Sequence, residues 1–151
     1  MKKIIYILIL FIITTISSNK VFSQEENSIY YITDLRGDIY LEMEINNLES
    51  NKGPIYIRIL DENENPVIVG TSPVINYSSE ISFDSISAGK YAIQFFHDEN
   101  ENQKMDFNLI GIPKEKFGSS NDVKPILGPP KFEKMLFEIY EDKKIVMKPV
   151  N

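Results

Sequence analysis

Apolar side chains stand at every second position in one short stretch after another, and this period of two limits the folds open to the chain. Ile39, Leu41, Met43 and Ile45 alternate with Tyr40, Glu42, Glu44 and Asn46, and Ile55, Ile57 and Ile59 alternate with Tyr56 and Arg58. Successive residues of a strand point to opposite faces, so each stretch predicts a strand with one buried and one wet face. The same pattern returns at Val67–Val69, at Ile81 and Phe83, and at Tyr91, Ile93 and Phe95. It returns again at Met135, Phe137 and Ile139, followed by Lys144–Lys148. Turn-forming runs separate them: Asn46 to Gly53, Asp61 to Pro66, Ala88-Gly89-Lys90 and Glu141-Asp142-Lys143. The last of these predicts that the chain closes on a hairpin. No long stretch after the first residues has helical periodicity. About seven short strands with alternating faces predict an all-β domain over 38–150, built as an antiparallel β-sandwich, because a single open sheet would leave these apolar faces in water. A barrel is the competing layout.

The beginning of the chain predicts export. Met1-Lys2-Lys3 precedes the apolar stretch Ile4 to Ile13, and Val21-Phe22-Ser23 offers compact residues before a cut between Ser23 and Gln24. The apolar stretch falls short of the roughly 20 residues that a spanning helix needs. Residues 1–23 therefore read as a signal peptide, with no membrane span after cleavage and a periplasmic or extracellular destination. Residues 24–37, with Ile29, Tyr30, Tyr31 and Ile32 among charges, read as a lead-in strand or arm. Loss of Lys2, Lys3 and Lys20 would take the net charge from −6 to −9. Such a surface repels phosphate backbones and suits cations, so nucleic acid is not an expected partner. The chain has no cysteine, which removes disulfides, thiolate zinc sites and a lipid-anchored lipoprotein.

One run carries chemistry. From His97 to Asp106 short oxygen-bearing side chains recur at alternate positions, directly after a predicted strand. In a tightly wound loop those side chains point inward, so Asp98, Asn100, Asn102 and Asp106, with the Lys104 carbonyl, predict a structural Ca2+ site. The twelfth position is Leu109, so the bidentate Glu of an EF-hand is missing and one carboxyl must come from elsewhere. The alternative is a hairpin tip whose Asn and Asp side chains bond their own backbone. A second copy of the pentapeptide, Asp61-Glu62-Asn63-Glu64-Asn65, runs into Pro66 and has no acid at its ninth position, and so reads as a turn.

His97 is the sole histidine. Without a nucleophile elbow or a second histidine it predicts a structural role, hydrogen-bonding at the strand end. Catalytic residues are therefore not assigned. Tyr30, Tyr31, Tyr40, Tyr56, Tyr77 and Tyr140 would make a binding platform if they shared an outer face. Between Phe107 and Lys131 lies a long Gly/Pro-rich segment without alternation, whose apolar members, Leu109, Ile110, Ile112 and Phe117 among them, predict a cap packed onto the domain.

The run from Ser87 to Asn100, together with Leu109-Ile110-Gly111-Ile112-Pro113, Phe117-Gly118-Ser119-Ser120-Asn121 and Gly128-Pro129-Pro130-Lys131-Phe132, resembles the secreted bacterial proteins grouped as domain of unknown function 2141. The resemblance spans roughly Asp38 to Val150. It implies a signal peptide and a β-sandwich of the prealbumin-like or carboxypeptidase regulatory-like kind, and implies no particular activity. The loop of that family reads Asp-x-Asn-Gly-Asn-Gly-Lys-x-Asp, whereas Glu101 and Gln103 stand here at the two glycine positions, where a left-handed turn carries a steric cost for any side chain. Together these readings predict an exported, non-enzymatic domain that binds a protein or glycan partner at the cell envelope. The alternatives are a glycan-acting hydrolase using acidic residues near His97, and a purely structural accessory domain of an envelope assembly.

Overall fold

The structure is a computed structural model that describes residues 30–32, 36–125 and 129–150; the leader expected over 1–23 and residues 24–29 and 33–35 of the lead-in lie outside the described residues. Nine strands lie among them: β1 (Tyr30–Ile32), β2 (Ile39–Ile45), β3 (Ile55–Asp61), β4 (Pro66–Ser72), β5 (Ser79–Ile86), β6 (Gly89–His97), β7 (Phe117–Ser119), β8 (Phe137–Ile139) and β9 (Lys143–Met147). A 3-10 turn at Ser120–Asp122 and one α turn, α1 (Phe132–Met135), are the described helical pieces. The larger sheet runs β1-β4-β3-β6-β7, and β8 also pairs with β6. The smaller sheet runs β5-β2-β9.

Where the alternation is strict, it falls on the interior. Ile39, Leu41, Met43 and Ile45 of β2 are buried against Ile55, Ile57 and Ile59 of β3, Ile81 and Phe83 of β5, and Ile93 and Phe95 of β6. The fold is thus the expected all-β sandwich, with its core between two sheets. On the outer face of the large sheet Tyr56 stacks on Phe96 with ring centroids 5.1 Å apart, and Arg58 Nε donates to Gln94 Oε1 at 2.6 Å.

Two expectations need correction, and one conditional reading is answered. The closing hairpin is absent: β8 joins the large sheet, whereas β9 crosses to the small sheet and runs parallel to β2. The crossing is held where the Tyr40 N–H donates to Asp142 Oδ1 at 2.8 Å. Further along, Lys144 Nζ lies 2.7 Å from Glu42 and 3.0 Å from Glu44. Glu42 and Glu44 are thus the wet face of β2, and their charge is met by the neighbouring parallel strand. Of the tyrosines whose side chains are described, Tyr40 belongs to the small sheet and Tyr56 to the large one, and Tyr77 and Tyr140 occupy separate turns, so these four do not share one outer face. Finally, the segment after Phe107 caps the domain only in its later part. Ser119, Ser120 and Met135 are buried, with Ser120 Oγ accepting from Ile93 N–H at 3.0 Å and donating to the Met135 carbonyl at 2.6 Å. Phe107, Leu109, Ile110 and Ile112 stand exposed.

Candidate functional site

The loop that follows β6 is anchored by a two-point clamp. Asp98 N–H donates to the Pro54 carbonyl at 3.0 Å, and His97 Nε2 lies 2.7 Å from the Lys52 carbonyl. His97 is fully buried, and its other ring nitrogen lies 3.8 Å from Glu99 Oε1. The ring therefore ties the strand end to the 52–54 turn.

Asp98 is also fully buried. Its two carboxyl oxygens accept the N–H groups of Asn102 at 3.1 Å and Gln103 at 2.7 Å, so the loop winds around this one side chain. Asn102 N–H is also 3.2 Å from Asn100 Oδ1, and Lys104 N–H donates to Asn102 Oδ1 at 3.0 Å. The side-chain amides of Asn100 and Asn102 both donate to Asp106 Oδ2, at 2.6 and 2.8 Å. Those two donors, Asn100 foremost, hold the Asp106 carboxyl below its usual range, and the nearby charges of Lys104 and Lys114 act in the same direction. The structure thus brings Asp98, Asn100, Asn102 and Asp106 into one hydrogen-bonded loop.

Glu115 is the residue that local spacing missed. It is the sole acid between Asp106 and Asp122, and it returns to the loop because the chain folds back on itself. Lys114 N–H donates to the Asp106 carbonyl at 2.9 Å, and Glu115 Oε2 accepts the Asp106 N–H at 3.2 Å. Burial pushes the Glu115 carboxyl above its usual range, and the charges of Asp98 and Asp106 add to the rise. Among the described residues no three His, Asp or Glu side chains are gathered as a metal-holding group. As it stands, both carboxyl oxygens of Asp98, the amide oxygens of Asn100 and Asn102, and Asp106 Oδ2 accept N–H groups of the loop itself.

Glu101 and Gln103 have φ of 57° and 67°. The loop therefore adopts left-handed backbone at both positions where the similar family carries glycine, although neither residue is one. Left-handed backbone costs a side-chain-bearing residue about 1–2 kcal/mol, partly offset by the extra chain entropy that glycine brings to the unfolded state. Glu101→Gly and Gln103→Gly are each expected to raise stability by about 0.5–1 kcal/mol, read as a higher denaturant midpoint.

The copy of the pentapeptide at Asp61–Asn65 supports this account. Asp61 Oδ1 accepts Asn63 N–H and Asn65 N–H at 2.9 and 2.8 Å, and Glu64 has φ of 66°. The two copies share the Asp-to-Asn turn and part afterwards. At Pro66 the chain becomes strand, whereas after Asn102 it winds on to Gln103 and Asp106.

A shallow open cleft of about 470 Å³ lies at the far end of the sandwich, lined by Asp38, Ile39, Tyr140, Glu141 and Asp142. Gly89 at the start of β6 pairs with Ile139 there, while His97 at its other end pairs with Ile55. The cleft and the loop are thus separated by the length of β6, and the acids of the cleft are not those near His97.

The family model described as an uncharacterized protein conserved in bacteria (DUF2141) matches residues 43–147. No curated protein and no solved structure matches the chain.

Proposed function

The chain belongs to the bacterial family DUF2141, and from that premise we propose that it is an exported, non-enzymatic β-sandwich that meets a protein or glycan partner at the cell envelope, with loop 98–106 as a structural calcium site. The observation that supports the ion reading is the winding of a loop rich in Asx side chains around the buried Asp98 carboxyl, with Asn100 and Asn102 turned to Asp106 and Glu115 brought back to the Asp106 N–H. All are hard oxygen donors, the kind calcium selects. Glu115 supplies the carboxyl that Leu109 at the twelfth position cannot. The proposal requires the amides of Asn100 and Asn102 to turn over, since each now points its nitrogen at Asp106. A bound cation would also remove the like-charge repulsion that Asp98 and Asp106 exert on Glu115. Export rests on the leader pattern of residues 1–23, and the partner reading on the absence from the sequence of a recognisable catalytic motif.

Calcium titration followed by thermal unfolding tests the ion part. A site in the weak extracellular range, with Kd of about 10⁻⁴ M, is expected to add roughly 2.7 kcal/mol at a hundredfold excess over that value. Magnesium, which demands stricter octahedral geometry, is expected to add less. Glu115→Gln is expected to raise stability without calcium, because the folded state no longer buries a carboxyl beside two others, and to lose most of the calcium response. This gain appears above the ordinary glutamate pKa and fades as the pH falls below it, where the carboxyl is protonated in the folded and unfolded states alike. An unchanged melting temperature at millimolar calcium would remove the ion from the proposal and leave the fold and family membership untouched.

A further inference from the structure

Directly beyond the loop the chain runs out into a short hairpin whose apolar side chains face solvent. Phe107 bridges to Pro113, and between them Leu109 and Ile110 are 106% and 79% exposed, with Phe107 and Ile112 more than half exposed. Exposed apolar groups collected at one point mark a contact surface. The backbone of this tip is closed on itself. Asn108 N–H donates to the Ile112 carbonyl at 2.9 Å and Gly111 N–H to the Asn108 carbonyl at 3.0 Å. Asn108 Oδ1 accepts both Ile110 N–H and Ile112 N–H at 3.0 Å. Four backbone donors are therefore satisfied within the tip, an arrangement that water does not demand and a non-polar medium does. Lys104 and Lys114, both exposed, flank its base.

We propose that this tip seats the protein on a phospholipid surface, with Phe107, Leu109, Ile110 and Ile112 sinking into the outer acyl region while Lys104 and Lys114 meet lipid phosphates. The tip is convex, and a fluid bilayer closes around a protrusion without a preformed groove. Self-satisfied backbone and basic residues at the rim both suit that boundary. The inference concerns how the domain is held at the envelope and does not depend on an ion in the loop.

The chain contains no tryptophan, so Leu109→Trp places a single fluorescent reporter at the tip. Val146→Trp places one on the exposed face of the small sheet. With phosphatidylethanolamine–phosphatidylglycerol vesicles the emission of the Leu109→Trp protein is expected to move to the blue and to be quenched by lipids brominated on the acyl chain, while that of the Val146→Trp protein stays unchanged. Lys104→Glu with Lys114→Glu, added to Leu109→Trp, is expected to weaken vesicle binding roughly tenfold or more. A folded Leu109→Trp protein whose spectrum ignores vesicles overturns the proposal, leaving the tip to a protein partner. Equal shifts from the two reporters overturn it as well. Attachment through the apolar residues 4–13 alone would leave the tip reporter unmoved, and so counts with the first of these results.

Discussion

Gly53→Ala is expected to lower stability by about 3 kcal/mol or more, and the melting temperature by more than about 10 °C for a domain of this size. Two effects coincide at this position. Gly53 has φ of +68°, where a side chain is strained, and an added Cβ would lie 1.9 Å from the Asp98 carbonyl oxygen. That oxygen is backbone, and it cannot swing aside, because the Asp98 N–H is bonded to the Pro54 carbonyl and the His97 ring to the Lys52 carbonyl. The 52–54 turn and the start of the loop must therefore separate together. Gly111→Ala is the natural comparison. Gly111 has φ of +79° but nothing within 4 Å of an added Cβ, so it isolates backbone strain, expected at about 1 kcal/mol. Equal unfolding midpoints for the two variants would show that the turn and the loop are not locked together.

Asp98→Ala is the second large effect, expected at about 3 kcal/mol from loss of a buried acceptor that serves two backbone donors. Its two oxygens receive Asn102 N–H and Gln103 N–H at 3.1 and 2.7 Å, and of these two donors only Asn102 N–H has a second acceptor among the described residues, Asn100 Oδ1 at 3.2 Å. Asp98→Asn keeps one acceptor and turns an amide nitrogen on the other donor, so about half of that loss is expected. Asp106→Ala, at a partly exposed site, is expected to cost about 1 kcal/mol or less. Chemical denaturation of the three variants ranks them. If Asp106→Ala proved as damaging as Asp98→Ala, the loop would be organised from its later end, contrary to the geometry described here.

Both effects concern contacts of different range, and range decides what was legible in the sequence. Strands β2, β3, β5 and β6 each present one face to the core, so burial stamped a period of two on Ile39–Ile45, Ile55–Ile59, Ile81–Phe83 and Tyr91–Phe95. The loop was legible because Asp98 organises residues only four and five positions ahead of it. Glu115 was not, since it reaches the loop through a fold-back whose hairpin carries no alternation. β7, at Phe117–Ser119, is too short to show a period. The destination of β9 was hidden for a different reason. Ile145 and Met147 alternate equally well as the second arm of a hairpin or as a strand that crosses to the other sheet, and three linking residues, Tyr140 to Asp142, suit either. The exposed tip misled in the opposite way, because apolar content by itself predicts burial, whereas Leu109 and Ile110 stand exposed.

The parallel pairing of β2 with β9 bears on how the molecule comes into being. Tyr40 and Asp142, which bond at the head of that pair, are 102 positions apart. A chain emerging from its start displays β2, with its row of isoleucine, leucine and methionine, long before the strand that must flank it has been made. During that interval one rim of the small sheet is an open template on which another copy could add a strand. A holding chaperone, or passage across a membrane before folding begins, would protect the nascent chain until its last strand arrives.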